Sequence, residues 1–187
     1  MLAVLLSALS ILHPTPSGDH PPKIVGPGEG EPVGVPFHPV DLLLSEDENA
    51  DGLSFYEFRV PPRSAGAPPH IHSHEDEFFY VVSGRVSFMS GEDIIEGERG
   101  AFAALTRGNA HAFWNAGDEE AVMVVGVSNG GFEDFFDAVA LEVAAEQPAD
   151  PAAMGALVGR LGAERGIEIR MDLLPEAAAP YYGPPPQ

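Results

Sequence analysis

Between about residue 37 and residue 128 apolar and polar positions alternate in short runs. The runs 39–44, 53–60, 77–82, 84–89, 92–95, 101–105, 110–115 and 121–128 are rich in Val, Phe, Tyr and Ile, and each reads as a strand. Turn signals built from Gly, Asn, Asp, Ser and Glu separate them at 48–52, 83–84, 90–93, 97–100 and 116–119. Many short strands with no helical period between them predict an all-β antiparallel sandwich or barrel. After Gly131 the period lengthens. Phe132, Phe135, Phe136, Val139 and Val143 fall on one helical face, with Glu133, Asp134 and Asp137 near the start, where acids favour the helix dipole. A second helix is expected to open on Asp150 as N-cap with Pro151 at its first position and to stop at Gly166.

The ends lack such patterning. Residues 13–36 are crowded with Pro and Gly and read as an extended linker, with His13, His20 and His38 as solvated loop residues that have no ligand spacing. The tail from Pro175 is expected to be irregular. The organisation is therefore an N-terminal arm and linker (1–36), a β-barrel (37–128), and C-terminal helices with a tail (129–187). Met1 to Leu12 are apolar but too short to span a membrane, which takes roughly twenty residues. No Lys or Arg precedes Lys23, and His13-Pro-Thr-Pro follows the run, which argues against a secretory signal. An arm packed on a partner subunit, or a start assigned too far upstream, is the expectation. That makes the protein cytoplasmic, with export as the weaker alternative.

Composition narrows the classes. With 187 residues and 44% hydrophobic content the chain supports one domain with a substantial core. A formal net charge of -20, with Lys23 as its one lysine against 29 acids, excludes the basic face that nucleic acid or an anionic membrane requires. The absence of cysteine excludes disulfides, thiolate zinc sites, iron–sulfur clusters and cysteine nucleophiles.

The candidate chemistry lies between Gly66 and Asn115. His70 and His72 are one residue apart, so on a strand both side chains point to one face. Glu77 returns to that face after a turn, and His111 from a distant strand completes a cage. Imidazoles with one carboxylate suit a divalent first-row metal: iron, nickel, manganese, cobalt, copper or zinc. Alternation from Glu77 and His111 sends Phe79, Val81 and Phe113 inward, where they line a pocket or fill the core. Phe55 and Phe102 are placed beside them. His74 falls on the same face as His70 and His72, where it is a substrate contact, a further ligand, a partner that orients a ligand, or a solvated loop residue. Tyr56 and Tyr80 fall outward, and Asn115 reads as a turn residue that satisfies backbone groups. A Phe-lined interior favours a flat aromatic or enolic substrate over a sugar phosphate, which would need inward Arg or Lys. The Phe stripe of the first helix packs on the barrel or closes its mouth.

These residues carry a resemblance. His70, His72, Glu77 and Gly84 fill the pattern His-x-His-x4-Glu-x6-Gly, which resembles the first motif of the cupin superfamily. Gly100, Gly108, His111 and Asn115 match the second, with Thr106 where that motif has proline; before the first motif Ser64 stands where the family usually has glycine, with Gly66 nearby. The resemblance implies a double-stranded β-helix, or jelly-roll barrel, with a short helical extension. The strand running into Phe132 to Phe136, the following helix and the 166–169 segment look like the small bacterial monocupins called quercetinase-like. In that group a metal held by three His and one Glu positions a flavonol or another enolizable substrate for attack by dioxygen, which would make Glu77 both ligand and base. It also implies a homodimer, with residues 1–45 available for pairing. Two further readings stand beside the dioxygenase. One is a non-oxidative metal-dependent cupin (isomerase, cyclase, dehydratase or decarboxylase); the other is a cupin that binds a small molecule without turnover.

Overall fold

The computed structural model describes residues 20–129 and 131–182. The expected arm at Met1 to Leu12 lies outside them. Among the described residues twelve strands form two antiparallel sheets. The first sheet has the order β1 (Glu31–Val33), β2 (Val40–Leu44), β3 (Ser54–Val60), β11 (Ala121–Val127), β6 (Glu77–Ser83), β9 (Phe102–Leu105). The second runs β12 (Ile167–Ile169), β5 (His70–His72), β10 (His111–Asn115), β7 (Arg85–Ser90), β8 (Asp93–Glu98), with the short β4 (Ser64–Ala65) also paired to β10. The sheets face each other as a jelly roll, and their inward residues form the core: Phe58, Val60, Phe79, Val81, Val86, Phe88, Met123 and Val125 among others. This is the double-stranded β-helix that the alternation and motifs imply.

Strand β3 shows the underlying rule. Its sequence Ser-Phe-Tyr-Glu-Phe-Arg-Val alternates buried and half-buried without exception, because one face meets the opposite sheet and the other meets solvent. Period two alone does not say which face is which. Tyr56 is buried against Phe58, Phe132 and Phe136, so the inward parity is Ser54-Tyr56-Phe58. Phe55 therefore points outward, over Gly126 on the neighbouring strand. Both placements reverse the sequence expectation. Tyr80 is outward and 48% exposed, as expected. Phe102 pairs directly with it, and cross-strand partners share a face, so Phe102 also points out, at 65% exposure, contrary to its expected inward place.

Helix α1 (Phe132–Glu146) follows β11 and lays Phe132, Phe135, Phe136 and Val139 on the barrel. Its first turn is anchored where Glu133 accepts hydrogen bonds from the Ser45 hydroxyl at 2.9 Å and the Glu46 backbone N–H at 2.7 Å. Helix α2 (Pro151–Ala163) begins as the sequence predicts, with Asp150 accepting from the Ala153 N–H at 2.8 Å and Pro151 in the first turn. Three short elements depart from the sequence reading. Glu31–Val33, within the expected linker, pairs with β2. Ile167–Ile169 joins the second sheet beside β5. In the expected irregular tail, Ala179–Tyr182 forms a helical turn, α3. There Ala178, Leu174, Tyr181 and Tyr182 cover the outward faces of Met89, Ala112 and Trp114. No helix among the described residues is long and apolar enough to cross a membrane.

Candidate metal centre

Three strands from two sheets converge on one point. On β5, His70 and His72 both turn inward, one residue apart. His111 opens β10 directly opposite His70 in register. Glu77 opens β6 on the facing sheet. All four side chains are buried, and one ligand atom from each lies within 4.8 Å of the others. Glu77 Oε2 stands 2.7 Å from His111 Nε2, 3.4 Å from His72 Nε2 and 3.5 Å from His70 Nε2. The two Nε2 atoms of His70 and His72 are 3.0 Å apart.

The other ring nitrogens decide what those atoms are. His70 Nδ1 lies 2.8 Å from the Pro68 carbonyl, His111 Nδ1 3.0 Å from the Asn109 carbonyl, and His72 Nδ1 2.9 Å from a Glu75 carboxylate oxygen. Each partner is an acceptor, so each Nδ1 carries the proton and each Nε2 presents a lone pair. In the neutral rings three imidazole lone pairs thus face one carboxylate oxygen at 2.7 to 3.5 Å. Such a set calls for positive charge at its centre, supplied by a proton on His72 or by a metal cation that displaces it. The four residues therefore fit a divalent metal.

The electrostatics follow from burial. Burial would raise the Glu77 carboxyl, but the imidazoles of His111, His70 and His72 outweigh it and hold the group well below the usual carboxylate range. For His70, burial and the neighbouring His111 push the imidazole below its ordinary value. Burial also disfavours charge on His72, yet the Glu75 and Glu77 carboxylates overcome it and lift His72 to about 9.

Loops fix this geometry. Asp76, beside Glu77, accepts from the Arg107 backbone N–H at 2.9 Å and from its guanidinium at 2.6 and 3.0 Å. The Arg107 contacts pull the Asp76 carboxyl down to about 2. The next residue along the second motif's loop, Gly108, holds φ +77°, a left-handed conformation that suits glycine. Its N–H donates to the His72 carbonyl at 2.8 Å, so the loop of the second motif is tied to the strand of the first. Asn115 donates to the carbonyls of Val60, Pro61 and Glu119 at 2.8 to 3.0 Å and accepts from Gly117 N–H, a turn-holding role. Gly66 is required by packing, since a Cβ there would overlap the Phe113 ring.

An apolar cavity opens onto the cluster. His70, His72 and Glu77 border it together with Phe58, Phe113, Phe132, Phe135 and Phe136. Of the residues expected near substrate, Phe113 is in this wall. Phe79 is buried behind it, packed on Phe88 and Phe113, and fills core. Phe55 and Phe102 lie on the outer face. His74 is exposed in an open groove with Arg107 and Arg165, outside the cavity. Two residues of the site escaped sequence reading. Glu75 is 4% exposed and orients His72; its one sequence signal is an acid three residues after a ligand. His38, expected in a solvated loop, is buried in the cavity wall against Phe58 and Phe113.

The strands of this jelly roll present three His and one Glu to a single point, the arrangement that the two sequence motifs imply. In agreement, residues 56–127 match the family model described as Cupin domain. No curated protein matches the chain. Among solved structures, a sugar phosphate isomerase of the cupin superfamily from Silicibacter pomeroyi is similar at 23% identity and TM-score 0.42, the match covering 48% of this chain and 59% of that one. The chain thus spans about three-fifths of that protein. A putative sugar phosphate isomerase from Acidithiobacillus ferrooxidans aligns at 22% identity over 54% of this chain and 68% of that one, TM-score 0.45. A Cupin 2 conserved barrel domain protein from Salinispora arenicola aligns at 19% over 54% and 82%, TM-score 0.43.

Proposed function

We propose that this protein is a metal-dependent dioxygenase of the quercetinase-like kind, acting on a flavonol or a related enol or phenol. The observation that carries the reading is the junction of the His3Glu cluster with a cavity walled by Phe58, Phe113, Phe132, Phe135 and Phe136. No Lys or Arg among the described residues lines that cavity. A phosphate or carboxylate substrate would enter such a wall without a counter-ion, at a cost of several kcal/mol, whereas a flat aromatic ring gains by burial there.

The roles follow from the residues. His70, His72, His111 and Glu77 would hold the metal, which when bound supplies Lewis acidity toward a substrate hydroxyl and a redox centre for dioxygen. Glu77 Oε2, anionic at neutral pH, is the acceptor for the hydroxyl proton. Phe113 and Phe58 orient the ring, and Phe132 and Phe136 of α1 exclude water from the reacting face.

The test begins with metal analysis of untagged protein, followed by oxygen-electrode assays of the iron, nickel, manganese and cobalt forms with a panel of flavonols. About one equivalent of metal and substrate-dependent oxygen uptake are expected. Bound metal without uptake on any flavonol would overturn the dioxygenase in favour of non-oxidative chemistry at the same cage. No metal in any form would overturn both.

A further inference from the structure

We propose that His38 is the specificity-determining residue of the cavity, accepting at Nε2 a hydrogen bond from a second substrate donor, distinct from the group held at the His3Glu cluster. The proposal rests on the cavity being a substrate site. Outside the cluster, His38 is the one polar side chain in the cavity wall formed by the described residues. It is 7% exposed. Its ring is held by Phe58 at 5.1 Å and Phe113 at 5.9 Å between centroids, which fixes its orientation. Nδ1 lies 3.3 Å from the Pro39 carbonyl, an acceptor, so the proton belongs on Nδ1 and the lone pair on Nε2. No described residue hydrogen-bonds Nε2.

Packing does not explain an imidazole here. A phenyl ring would fill the same place beside Phe58 and Phe113 without the cost of burying polar nitrogens. What the imidazole adds is one directed acceptor in an apolar wall, the arrangement by which a site rejects an analogue lacking the matching donor. Burial pushes its pKa down to about 4, so the acceptor is present at neutral pH. Phe37, next in sequence, borders the same cavity and is 44% exposed, so the ring stands beside an open side of the cavity. The ligand expected is an aromatic molecule carrying a hydroxyl or N–H besides its metal-binding group.

The test uses zinc-loaded protein, which is redox-silent, and a matched probe pair without a chelating group: 2-naphthol and naphthalene. Binding is measured by fluorescence titration for the parent, His38→Phe, His38→Leu and His38→Gln, with zinc content determined for each. The parent should favour 2-naphthol by about three- to tenfold, the worth of one net hydrogen bond. That preference should vanish in His38→Phe and His38→Leu and persist in His38→Gln, whose amide oxygen still accepts. No preference in the parent, or an undiminished one in the Phe and Leu variants, overturns the proposal. Because the naphthalene pair needs no turnover, a His38-dependent preference beside absent flavonol oxidation would count against the dioxygenase alone.

Discussion

Glu75 touches no metal position, yet it selects the nitrogen that His72 offers. Losing its carboxylate frees the Nδ1 proton and the ring orientation, so Glu75→Ala should weaken metal binding by roughly 10- to 100-fold, read by competition with a chromogenic chelator. His72→Ala and His111→Ala remove ligands outright and should abolish stoichiometric metal and activity together. Glu77→Gln keeps a neutral oxygen ligand and should retain partial metal while losing far more activity, because the proton acceptor is gone; metal content and oxygen uptake measured on one sample separate the two effects. His38 makes a pH prediction. Unfolded, its imidazole titrates near 6.5; folded, burial holds it at about 4. Between those values the unfolded chain binds more protons, so the native-state stability that neutral His38 contributes is present above pH 6.5 and is lost as pH falls toward 4. The loss is on the order of 3 kcal/mol. Urea denaturation of the parent against His38→Phe should show the parent losing more stability across this range, since His70, His72 and Glu77 titrate alike in both and cancel.

Among the elements, β5 and β10 bring the ligands together, and close packing holds them. Gly66 lies against Phe113 on β10, where even a methyl group overlaps the ring. Gly66→Ala should destabilise by about 1–3 kcal/mol and move Phe113 in the cavity wall, so that ligand affinity falls along with the denaturation midpoint. In α2 the cap is simpler. Asp150→Ala removes the bond to Ala153 N–H and should cost about 1 kcal/mol by urea denaturation, with metal content unchanged because α2 supplies no ligand.

At the scale of the whole molecule the cage joins the two sheets: Glu77 comes from one, His70, His72 and His111 from the other. A bound cation therefore cross-links the layers and stabilises the native state by mass action, about 2.7 kcal/mol at a hundredfold excess over Kd. Thermal unfolding with and without a chelator should show that difference as a fall in Tm on metal removal. An unchanged Tm in protein shown to have lost its metal would contradict the clamp.

The sequence by itself determined the barrel, both helix starts and the four residues of the cage. It could do so because period-two alternation, capping chemistry and ligand spacing are local, and a strand or N-cap is written within a few residues. Tertiary structure decided what depends on the partner across a sheet or on the layer above it. Alternation in β3 places Phe55 and Tyr56 on opposite faces, but α1 packing on Tyr56 settles which face is core. Phe102 follows its cross-strand partner Tyr80 outward. His38 has no periodic context in a Pro-rich stretch, and its burial comes from Phe58 and Phe113, which lie 20 and 75 residues further along the chain. Trp114 sits on an outward face and would be exposed but for Ala178 and Tyr182 of the tail. Contacts of that sequence separation leave no local pattern, because the side chains that bury one another meet only when the chain has folded.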